Sequence, residues 1–402
     1  MRILFLASRL PFPPNRGDRL RAFNVIRKLS SDGHEIHLAS FISGEREREN
    51  AVPLKAYCKS LHLVTQTPSA SWANCILALT GRVPLQIAYY KSRRMASEIR
   101  SVLRSSKIDL IFVHLFRMAG YVADEAQTYK VLDLTDVISR EIERSLPHRR
   151  GLSRLIYSRE LPRIREVERS LSASFDECWV VSDAEGEALT RLNPSAVVQV
   201  VPNGVDLEGF RPLNARPSNI VTFVGHLGVP HNVDAVLHFY KEIFPLVLKE
   251  MPDCRFCVIG PSAHRSLDRL RRDRRVMMMD FVEDLNGSLN RSSVFVAPLR
   301  YCAGLQNKVL EAMAAGVPVV ATPCVNEGLR AKEEEEILIA SDPWHFASSV
   351  VSLLNDAPYR RYVAEKARKF VEARFSWETA SRRIAAIGAG RVPGGIGRPS
   401  TG

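Results

Sequence analysis

The sequence predicts an α/β protein of two domains, each built on a parallel β-sheet covered by helices. Short apolar segments alternate with amphipathic helical segments along the chain, a pattern typical of repeated strand–helix–strand units. A length of 402 residues exceeds one ordinary hydrophobic core and suits two. A polar stretch at residues 207–219, which contains Pro212 and Pro217, interrupts the alternation and marks the domain boundary.

The first domain is predicted to span residues 1–206. Its strands are predicted at 2–8, 35–42, 61–65, 109–114, 130–134, 177–181 and 197–201, with helices at 18–32, 91–106, 153–173 and 183–192. Ser182 and Glu185 form a capping-box pattern, which predicts the start of the last of these helices. Asp133 and Asp136 follow a predicted strand, and we expect them to cap the next helix rather than to line a cleft.

The second domain is predicted at residues 220–356. Its strands are expected near 220–225, 255–260, 276–279, 294–297, 317–321 and 336–340. A final amphipathic helix is predicted at 357–387. The tail, residues 388–402, is rich in glycine and proline and is expected to be disordered.

The composition indicates a globular protein of a reducing compartment. No apolar run reaches the roughly 18–20 residues of a membrane span. The apolar N-terminal stretch is cut by Arg9, so we interpret it as a buried strand and not as a signal peptide. The seven cysteines are scattered and odd in number, which favours reduced thiols and a cytoplasmic location. Cys254 and Cys257 lie in a strand pattern, where residues three apart point to opposite faces, so we expect no metal there.

The net charge of +12 lies mainly in the first half of the chain. Residues 1–205 carry 30 Lys and Arg against 22 Asp and Glu, and the segment 140–169 is dense in arginine. An anionic membrane surface or a lipid diphosphate acceptor would explain this excess. Merely solvated basic helices remain the alternative. Nucleic acid is not favoured, because no basic motif with interleaved aromatic residues is present.

The most informative segment runs from Gly304 to Thr322 and is predicted to form a loop, an amphipathic helix and a buried strand. Lys308 and Glu311 are three residues apart and leave the same side of the first helical turn. Loop amides and a lysine at a helix N-terminus suit a diphosphate, and the carboxylate suits ribose hydroxyls. The alternative is an ordinary surface salt bridge between Lys308 and Glu311.

This segment resembles the nucleotide-sugar motif of family 4 of the retaining glycosyltransferases. Three further motifs match that family in the same order: Pro13–Asp18, Gly33–Ile36, and Pro202–Asp206 followed by Phe210-Arg211-Pro212. The resemblance covers roughly residues 1–385. It implies the GT-B fold, in which two Rossmann-like domains face each other and the C-terminal helix crosses back to the first domain.

The resemblance also implies the site and its partners. The implied donor-binding residues are His226, His231, Gly304, Leu305, Gln306, Asn307, Lys308 and Glu311; the catalytic residues are His114, Lys308 and Glu311; and the acceptor-side loop contains Arg16, Gly17 and Asp18. The partners would be a nucleoside-diphosphate sugar and a saccharide or polyprenyl-linked acceptor, and the protein would act in the cytoplasm or at the inner face of the cytoplasmic membrane. No cofactor and no essential metal are expected.

The chain departs from the family pattern at three places. Asp18 stands where a second glycine is usual. His226 and His231 occupy positions where many members carry arginine and lysine, so a bound diphosphate would have to raise their pKa to protonate them. Ala303 replaces the first of two glutamates, which would leave the sugar to the Gly304–Asn307 loop. This variant is similar to sugar transferases associated with exopolysaccharide and PEP-CTERM systems.

The leading hypothesis is therefore a retaining glycosyltransferase of exopolysaccharide or other cell-surface polysaccharide biosynthesis. A nucleotide-sugar epimerase of the same fold is the alternative enzyme, and a basic membrane- or nucleic-acid-binding module is the alternative without catalysis. A dinucleotide dehydrogenase is disfavoured, because Arg9-Leu10-Pro11 follows the first strand where a glycine-rich G-x-G-x-x-G loop would be needed.

Overall fold

The computed structural model describes residues 1–214, 218–261 and 264–389. Most of the predicted disordered tail, residues 390–402, lies outside the described residues. Among the residues that the structure describes, no helix combines the length and the apolarity needed to cross a bilayer.

The first sheet contains seven parallel strands in the order β3-β2-β1-β4-β5-β6-β7. Its strands are β1 Arg2–Ala7, β2 Glu35–Ile42, β3 Ser60–Thr65, β4 Leu110–His114, β5 Tyr129–Thr135, β6 Glu177–Val180 and β7 Val198–Val200. Both faces are covered: Ile3 and Phe5 belong to one buried cluster, whereas Leu4 and Leu6 belong to another. This alternation is expected for a parallel sheet between two layers of helices.

The second sheet contains six parallel strands in the order β10-β9-β8-β11-β12-β13. Its strands are β8 Ser218–Val224, β9 Arg255–Ile259, β10 Val276–Met279, β11 Ser292–Ala297, β12 Val319–Ala321 and β13 Leu338–Ile339. Every strand predicted from the sequence is present in one of the two sheets, so the predicted pair of parallel-sheet domains is confirmed.

The helices of the first domain are α1 Gly17–Ser31, α2 Glu45–Glu49, α3 Pro68–Ala78, α4 Leu85–Tyr89, α5 Arg93–Ser105, α6 Ile138–Ser145, α7 Gly151–Ser174 and α8 Asp183–Leu192. Short 3-10 helices lie at Val52–Ala56, Phe116–Tyr121 and Leu146–His148. The helices that follow are α9 Pro230–His238, α10 Phe244–Glu250, α11 Asp268–Arg271, α12 Leu285–Asn290, α13 Asn307–Ala314, α14 Pro323–Leu329, α15 Pro343–Asn355, α16 Ala357–Arg374 and α17 Trp377–Ala389. A π-helical turn, Phe239–Ile243, joins α9 to α10, and a 3-10 turn, Arg265–Leu267, precedes α11.

The C-terminal segment is two helices, so the prediction of one helix over 357–387 was wrong. The break lies at Phe375, whose carbonyl accepts a hydrogen bond from the amide of Val205 at 2.7 Å. Gly204 is needed at this crossing, because a Cβ there would lie 2.5 Å from the backbone of Trp377. After the break α17 returns to the first domain, where Ile384 is buried in its core.

Candidate active site

A cleft of about 890 Å³ lies between the carboxyl edges of the two sheets. Ligand sites of doubly wound sheets form at this edge. The predicted site residues that line it are Arg16, Gly17, Asp18, His226, Asn307, Lys308 and Glu311. Gly225 and Gly260, which follow β8 and β9, also line the cleft, and a Cβ on Gly260 would lie 2.0 Å from the carbonyl oxygen of Gly225. Glycine is therefore required at position 260, where these two loops pack together.

Lys308 and Glu311 lie on the first turn of α13 and both face the cleft. The salt bridge considered from the sequence is not formed: among the described residues, Lys308 Nζ donates to Asn232 Oδ1 and lies 5.2 Å from the Phe223 ring centroid. Burial lowers the pKa of Lys308 to about 8. Burial also raises the pKa of Glu311 to about 7, although Lys308 opposes that shift. Both groups are thus available to a ligand that brings the opposite charge or hydroxyl groups.

Arg16 supplies a positive charge from the opposite side of the cleft. Its Nη2 lies 3.1 Å from Nε2 of His226, across the domain boundary. Burial lowers the pKa of His226 below its ordinary 6.5, and the neighbouring Arg16 adds to the lowering. His226 Nδ1 also accepts a hydrogen bond from the amide of Gly228 at 3.0 Å. The fixed positive charge near His226 therefore belongs to Arg16, which the sequence had placed on the acceptor side.

The loop before α13 faces the first domain instead of the cleft. Gly304 has a φ of +62°, and an added Cβ would lie 1.6 Å from Asp136 Oδ1. Its amide donates to Glu185 Oε1 at 3.2 Å, and Gln306 Nε2 donates to the carbonyl of Ala303 at 3.1 Å. Gly304, Leu305 and Gln306 are absent from the residues that line the cleft. The structure thus brings Asn307, but not the rest of this loop, to the predicted donor site.

His231 is also directed away from the cleft. Its Nδ1 lies 3.5 Å from Glu141 Oε1 of the first domain, and its ring lies edge-on to Tyr301. His226 and His231, which the sequence treats as a pair, therefore have different surroundings.

Asp133 forms the centre of a buried polar network, so the prediction that it caps a helix was wrong. It is fully buried at the end of β5 and accepts three hydrogen bonds from Arg21, at 2.7 to 3.0 Å. It also accepts one from Nδ1 of His114 at 2.9 Å. Arg21 compensates for burial and lowers the pKa of Asp133 to about 2, with help from the hydrogen bond of His114.

Asp136 does not cap α6 either. The N-cap residue of that helix is Val137, whose amide is satisfied at 2.7 Å by Glu185 Oε2. Burial, together with the nearby carboxylates of Glu185 and Glu141, raises the pKa of Asp136 well above its ordinary value. Ser182 caps α8 as predicted, but the carboxylate of Glu185 turns to Val137, Arg140 and Gly304. Glu185 therefore joins the first domain to the α13 loop.

The same network extends from the first domain to the start of α13. Arg21 Nη1 donates to Asn203 Oδ1 at 2.9 Å, and Asn203 Nδ2 donates to Asn307 Oδ1 at 3.0 Å. Asn203 belongs to the P-N-G-V-D motif, and Asn307 is the first residue of α13. The buried role of Arg21 was not predicted. Its position beside Ala22, Val25 and Ile26, on the buried side of an amphipathic helix, could have indicated it.

The two ring nitrogens of His114 have different surroundings. It is 3% exposed and does not line the cleft directly. Its Nδ1 is held by Asp133, while Nε2 is buried without a hydrogen-bond partner in the part of the chain that the structure describes. A carboxylate that orients an imidazole and leaves its second nitrogen unused is an arrangement suited to proton transfer or to a ligand hydroxyl.

Cys257 lies within β9 and Cys254 just before it, and both are free and buried. Within residues 1–214, 218–261 and 264–389, no group of three or more His, Cys, Asp or Glu side chains is placed to hold a metal ion.

Two family models match consecutive parts of the chain. The model described as Glycosyltransferase Family 4 matches residues 20–208, and the model described as Glycosyl transferases group 1 matches residues 218–356. The boundary between them falls between the two sheets: the first model covers β2 to β7, and the second covers β8 to β13.

Individual proteins agree with these matches. An uncharacterized 44.6 kDa protein of the cps region of Klebsiella pneumoniae is 23% identical over 93% of this chain and 96% of its own length. An Escherichia coli UDP-Gal:alpha-D-GlcNAc-diphosphoundecaprenol alpha-1,3-galactosyltransferase is 24% identical over 40% of this chain and 46% of its own length. The crystal structure of the Anabaena protein HepE with UDP superposes with a TM-score of 0.66 at 16% identity, covering 96% of this chain and 99% of that one.

Proposed function

We propose that this chain, a nucleotide-sugar-dependent glycosyltransferase with the GT-B fold, transfers a sugar with retention of configuration in the synthesis of an exopolysaccharide or other cell-surface polysaccharide. Its two domains match the family 4 and group 1 models. The acceptor is a saccharide or a lipid-linked saccharide. One observation carries the proposal: the N-terminus of α13 presents Lys308 and Glu311 to the cleft, opposite Arg16 of the first domain. The match to a cps-region protein supports the polysaccharide context.

In this proposal the donor lies across the start of α13. Lys308 and Arg16 bind the diphosphate from opposite sides, and the N-terminal amides of the helix add to the positive field. Arg16 takes the place of the arginine that the family usually carries at the position of His226. Both cations stabilise the charge that develops on the departing nucleoside diphosphate, and this is the main source of rate enhancement that the site offers.

Glu311 binds the ribose hydroxyls, one helical turn from the sugar. On the acceptor side, His114 Nε2 interacts with a hydroxyl group of the bound sugars, and the start of α1 at Gly17 and Asp18 positions the acceptor. The Arg21–Asp133–Asn203 network fixes the acceptor side of the cleft relative to α13, because it connects His114 to Asn307. Most of this catalysis is positioning, in which two substrates are held in reacting geometry.

We expect no essential divalent metal, because Lys308 and Arg16 supply the positive charge that a metal would otherwise bring to the diphosphate. Transfer should therefore continue at the same rate after dialysis against a chelator. A loss of activity that returns when Mg²⁺ or Mn²⁺ is added would contradict this expectation.

We also propose that the first domain docks on an anionic membrane surface. Arg154 and Arg159 are exposed on the first half of α7, and Arg150, which precedes its first turn, is exposed as well. The same region exposes large apolar side chains, which the sequence analysis did not anticipate: Trp72, Ile76, Leu77, Leu79, Val83, Leu152 and Leu155. Arg163 of α7 donates to the carbonyl oxygens of Ala78 and Leu79, so the two segments lie side by side. Basic and apolar groups together favour an interfacial location.

The decisive experiment is a panel of nucleotide sugars, measured first for binding and then for transfer to saccharide and polyprenyl-linked acceptors. Proton NMR of the product's anomeric centre reads the stereochemistry directly. Glu311→Gln should weaken binding of the nucleoside diphosphate and of its sugar-bearing form equally, because Glu311 contacts ribose. A product of inverted configuration would refute retention. Conversion of the nucleotide sugar to an epimer without acceptor would replace the transferase proposal by the epimerase.

A further inference from the structure

A second cavity, of about 600 Å³, lies in the first domain beside the donor cleft. It opens at the carboxyl edge of the sheet, where Ser8 follows β1, Ser43 follows β2 and Gln66 follows β3. Arg9 lines both this cavity and the donor cleft, so the two spaces are neighbours. We call it the arginine cavity; its charged and aromatic lining residues are Arg9, Arg19, Arg117, Glu47, Phe41, Trp72, Tyr89 and Tyr90.

The arginine cavity has a surplus of positive charge. Arg9 pairs with Asp18 at 3.1 Å, and Arg19 pairs with Glu47 at 2.6 Å. Arg117 has no carboxylate within salt-bridge distance among the described residues; its Nε donates to Gln86 at 3.0 Å. Burial lowers the pKa of Arg117, and repulsion by Arg9 adds to the effect. A half-buried guanidinium in these surroundings gains stability when an anion binds beside it.

Two of the residues that line the cavity each carry a buried donor without a partner. Ser8 Oγ is buried, with Ser8 only 2% exposed, and makes no hydrogen bond within the described parts of the chain; the same holds for Arg19 Nε. Buried donors of this kind are costly unless something accepts from them. A phosphate group offers several acceptor oxygens and negative charge, and it matches the planar geometry of guanidinium groups.

The aromatic side of the cavity leads from these arginines to the exterior. Tyr90 packs against Phe41 and Tyr89, with ring centroids 5.8 and 5.2 Å apart, and Tyr89 packs against Trp72 at 6.0 Å. Trp72 is 63% exposed, and Ile76, one turn further along α3, is 66% exposed. An apolar chain that leaves the cavity at Trp72 would continue over exposed apolar side chains, whereas a free phosphate would make no use of them.

We propose that the arginine cavity binds the phosphate group of a polyprenyl-linked acceptor. Arg117, Arg19 and Ser8 bind the phosphate, while Trp72 and Ile76 contact the first part of the polyprenyl chain. The acceptor saccharide then extends past Arg9 towards the donor cleft. This assignment rests on the proposed transferase function and specifies its acceptor class.

The test compares three probes on the full chain by isothermal titration calorimetry: farnesyl diphosphate, inorganic diphosphate and farnesol. Farnesyl diphosphate should bind more tightly than either of the others. Arg117→Gln should weaken farnesyl diphosphate about tenfold or more, the scale expected for a charged hydrogen-bond donor. Trp72→Ala, at an exposed position, should weaken farnesyl diphosphate severalfold and leave inorganic diphosphate unchanged. Arg94→Gln, which removes an exposed arginine outside the cavity, is the matched control.

Lys308→Ala distinguishes the arginine cavity from the donor cleft. It should leave farnesyl diphosphate binding unchanged, so a loss with Lys308→Ala but not with Arg117→Gln would overturn the proposal. Equal binding of farnesyl and inorganic diphosphate, insensitive to Trp72→Ala, would also overturn it, since the cavity would then take a free anion. If Arg117→Gln does not fold, the Trp72→Ala result alone decides.

Nucleotide-sugar binding measured on the same variants separates this inference from the proposed function. Arg117-dependent binding of farnesyl diphosphate without any nucleotide-sugar binding would leave the inference standing and refute the transferase proposal. If nucleotide sugars bind but neither Arg117→Gln nor Trp72→Ala changes the binding of farnesyl diphosphate, the transferase proposal stands and the acceptor inference is refuted.

Discussion

The two sides of the cleft differ in whether their charged side chains are paired with each other. In the first domain, Arg21 and Asp133 form a complete network in which each charged group has close partners. In the second domain, Lys308 and Glu311 share one helical turn but form no salt bridge, and their pKa values lie near 8 and 7. Paired charges stabilise a folded arrangement, whereas charges left without counter-ions are available to a ligand. Whether a charge is paired therefore distinguishes structural from binding residues more clearly than its burial does.

The largest effect should follow from removing one charge of the Arg21–Asp133 pair. Arg21→Met leaves Asp133 buried without its counter-ion and should lower the free energy of unfolding by about 3–5 kcal/mol. Arg27→Met, on the exposed face of the same helix, should change it by about 0.5 kcal/mol or less. Urea denaturation monitored by circular dichroism measures both. Equal effects of the two substitutions would show that the network is not structural.

The pH dependence of the Arg21→Met effect on stability provides a second test of the network. Because the pKa of Asp133 is lowered to about 2 in the fold, its contribution to stability is present above its ordinary value of 3.8 and is lost as the pH falls towards 2. Without Arg21 the carboxyl group takes up its proton at higher pH. The stability deficit of Arg21→Met should therefore narrow as the pH is lowered from 5 to 3.

Removing one of the cleft's unpaired cations should affect nucleotide binding and not folding. Lys308→Ala should weaken nucleoside-diphosphate binding by about 1.5–3 kcal/mol, the scale of a charge-assisted hydrogen bond. Arg16→Ala should weaken it as well, although Arg16 belongs to the other domain. Lys369→Ala, at an exposed position on α16, is the control and should have no effect in the same titration. Unchanged affinity of Lys308→Ala for every nucleotide tested would reject this placement of the donor.

A smaller effect should appear in the pH profile of nucleotide-sugar binding. Affinity should fall above about pH 8, where Lys308 loses its proton, and below about pH 7, where Glu311 gains one. Each limb should approach at most about tenfold per pH unit. A nucleotide sugar is the suitable probe, since its diphosphate diester does not titrate near neutrality. Glu311→Gln should remove the acid limb only, and a profile that keeps both limbs in that variant would contradict the assignment.

The smallest effect per residue concerns the membrane. Each exposed arginine of α7 should contribute about 1 kcal/mol or less to association with an anionic surface. Replacing Arg150, Arg154 and Arg159 with glutamine should reduce sedimentation with anionic vesicles and leave nucleotide binding intact. Arg149 is kept, because it stacks on Tyr157 and bonds to Ser145. The attraction should weaken between low salt and a few hundred millimolar; equal association with neutral vesicles, or none with either, would refute docking.

The strands and the donor helix were predictable because their signals are local. A buried parallel strand is an apolar run of a few residues, and all thirteen predicted runs became strands. Lys308 and Glu311 could be placed on one helical face from their spacing alone. The short helices between residues 45 and 90 were missed, since segments such as Glu45–Glu49 and Leu85–Tyr89 are too short to show helical periodicity.

The errors arose where a residue's partner lies far along the chain. The two strand-end carboxyl groups, Asp133 and Asp136, were expected to act on the neighbouring helix. Asp133 instead pairs with Arg21, which is 112 positions away, and the amide of Gly304 is bound by Glu185, 119 positions away. No local pattern specifies such pairings, because they depend on how separate elements pack: within the first domain for Arg21 and Asp133, and between the two domains for Glu185 and Gly304.

By itself the sequence determined two parallel-sheet domains, the order of their motifs and the turn of α13 that carries a lysine and a glutamate, because each of these follows from spacing within a short segment. Only the tertiary structure decided that Arg16 reaches His226 across the cleft and that Arg9, Arg19 and Arg117 surround one cavity. These residues come from three or more separate elements, and side-chain proximity between elements is set by packing, which periodicity along the chain does not record.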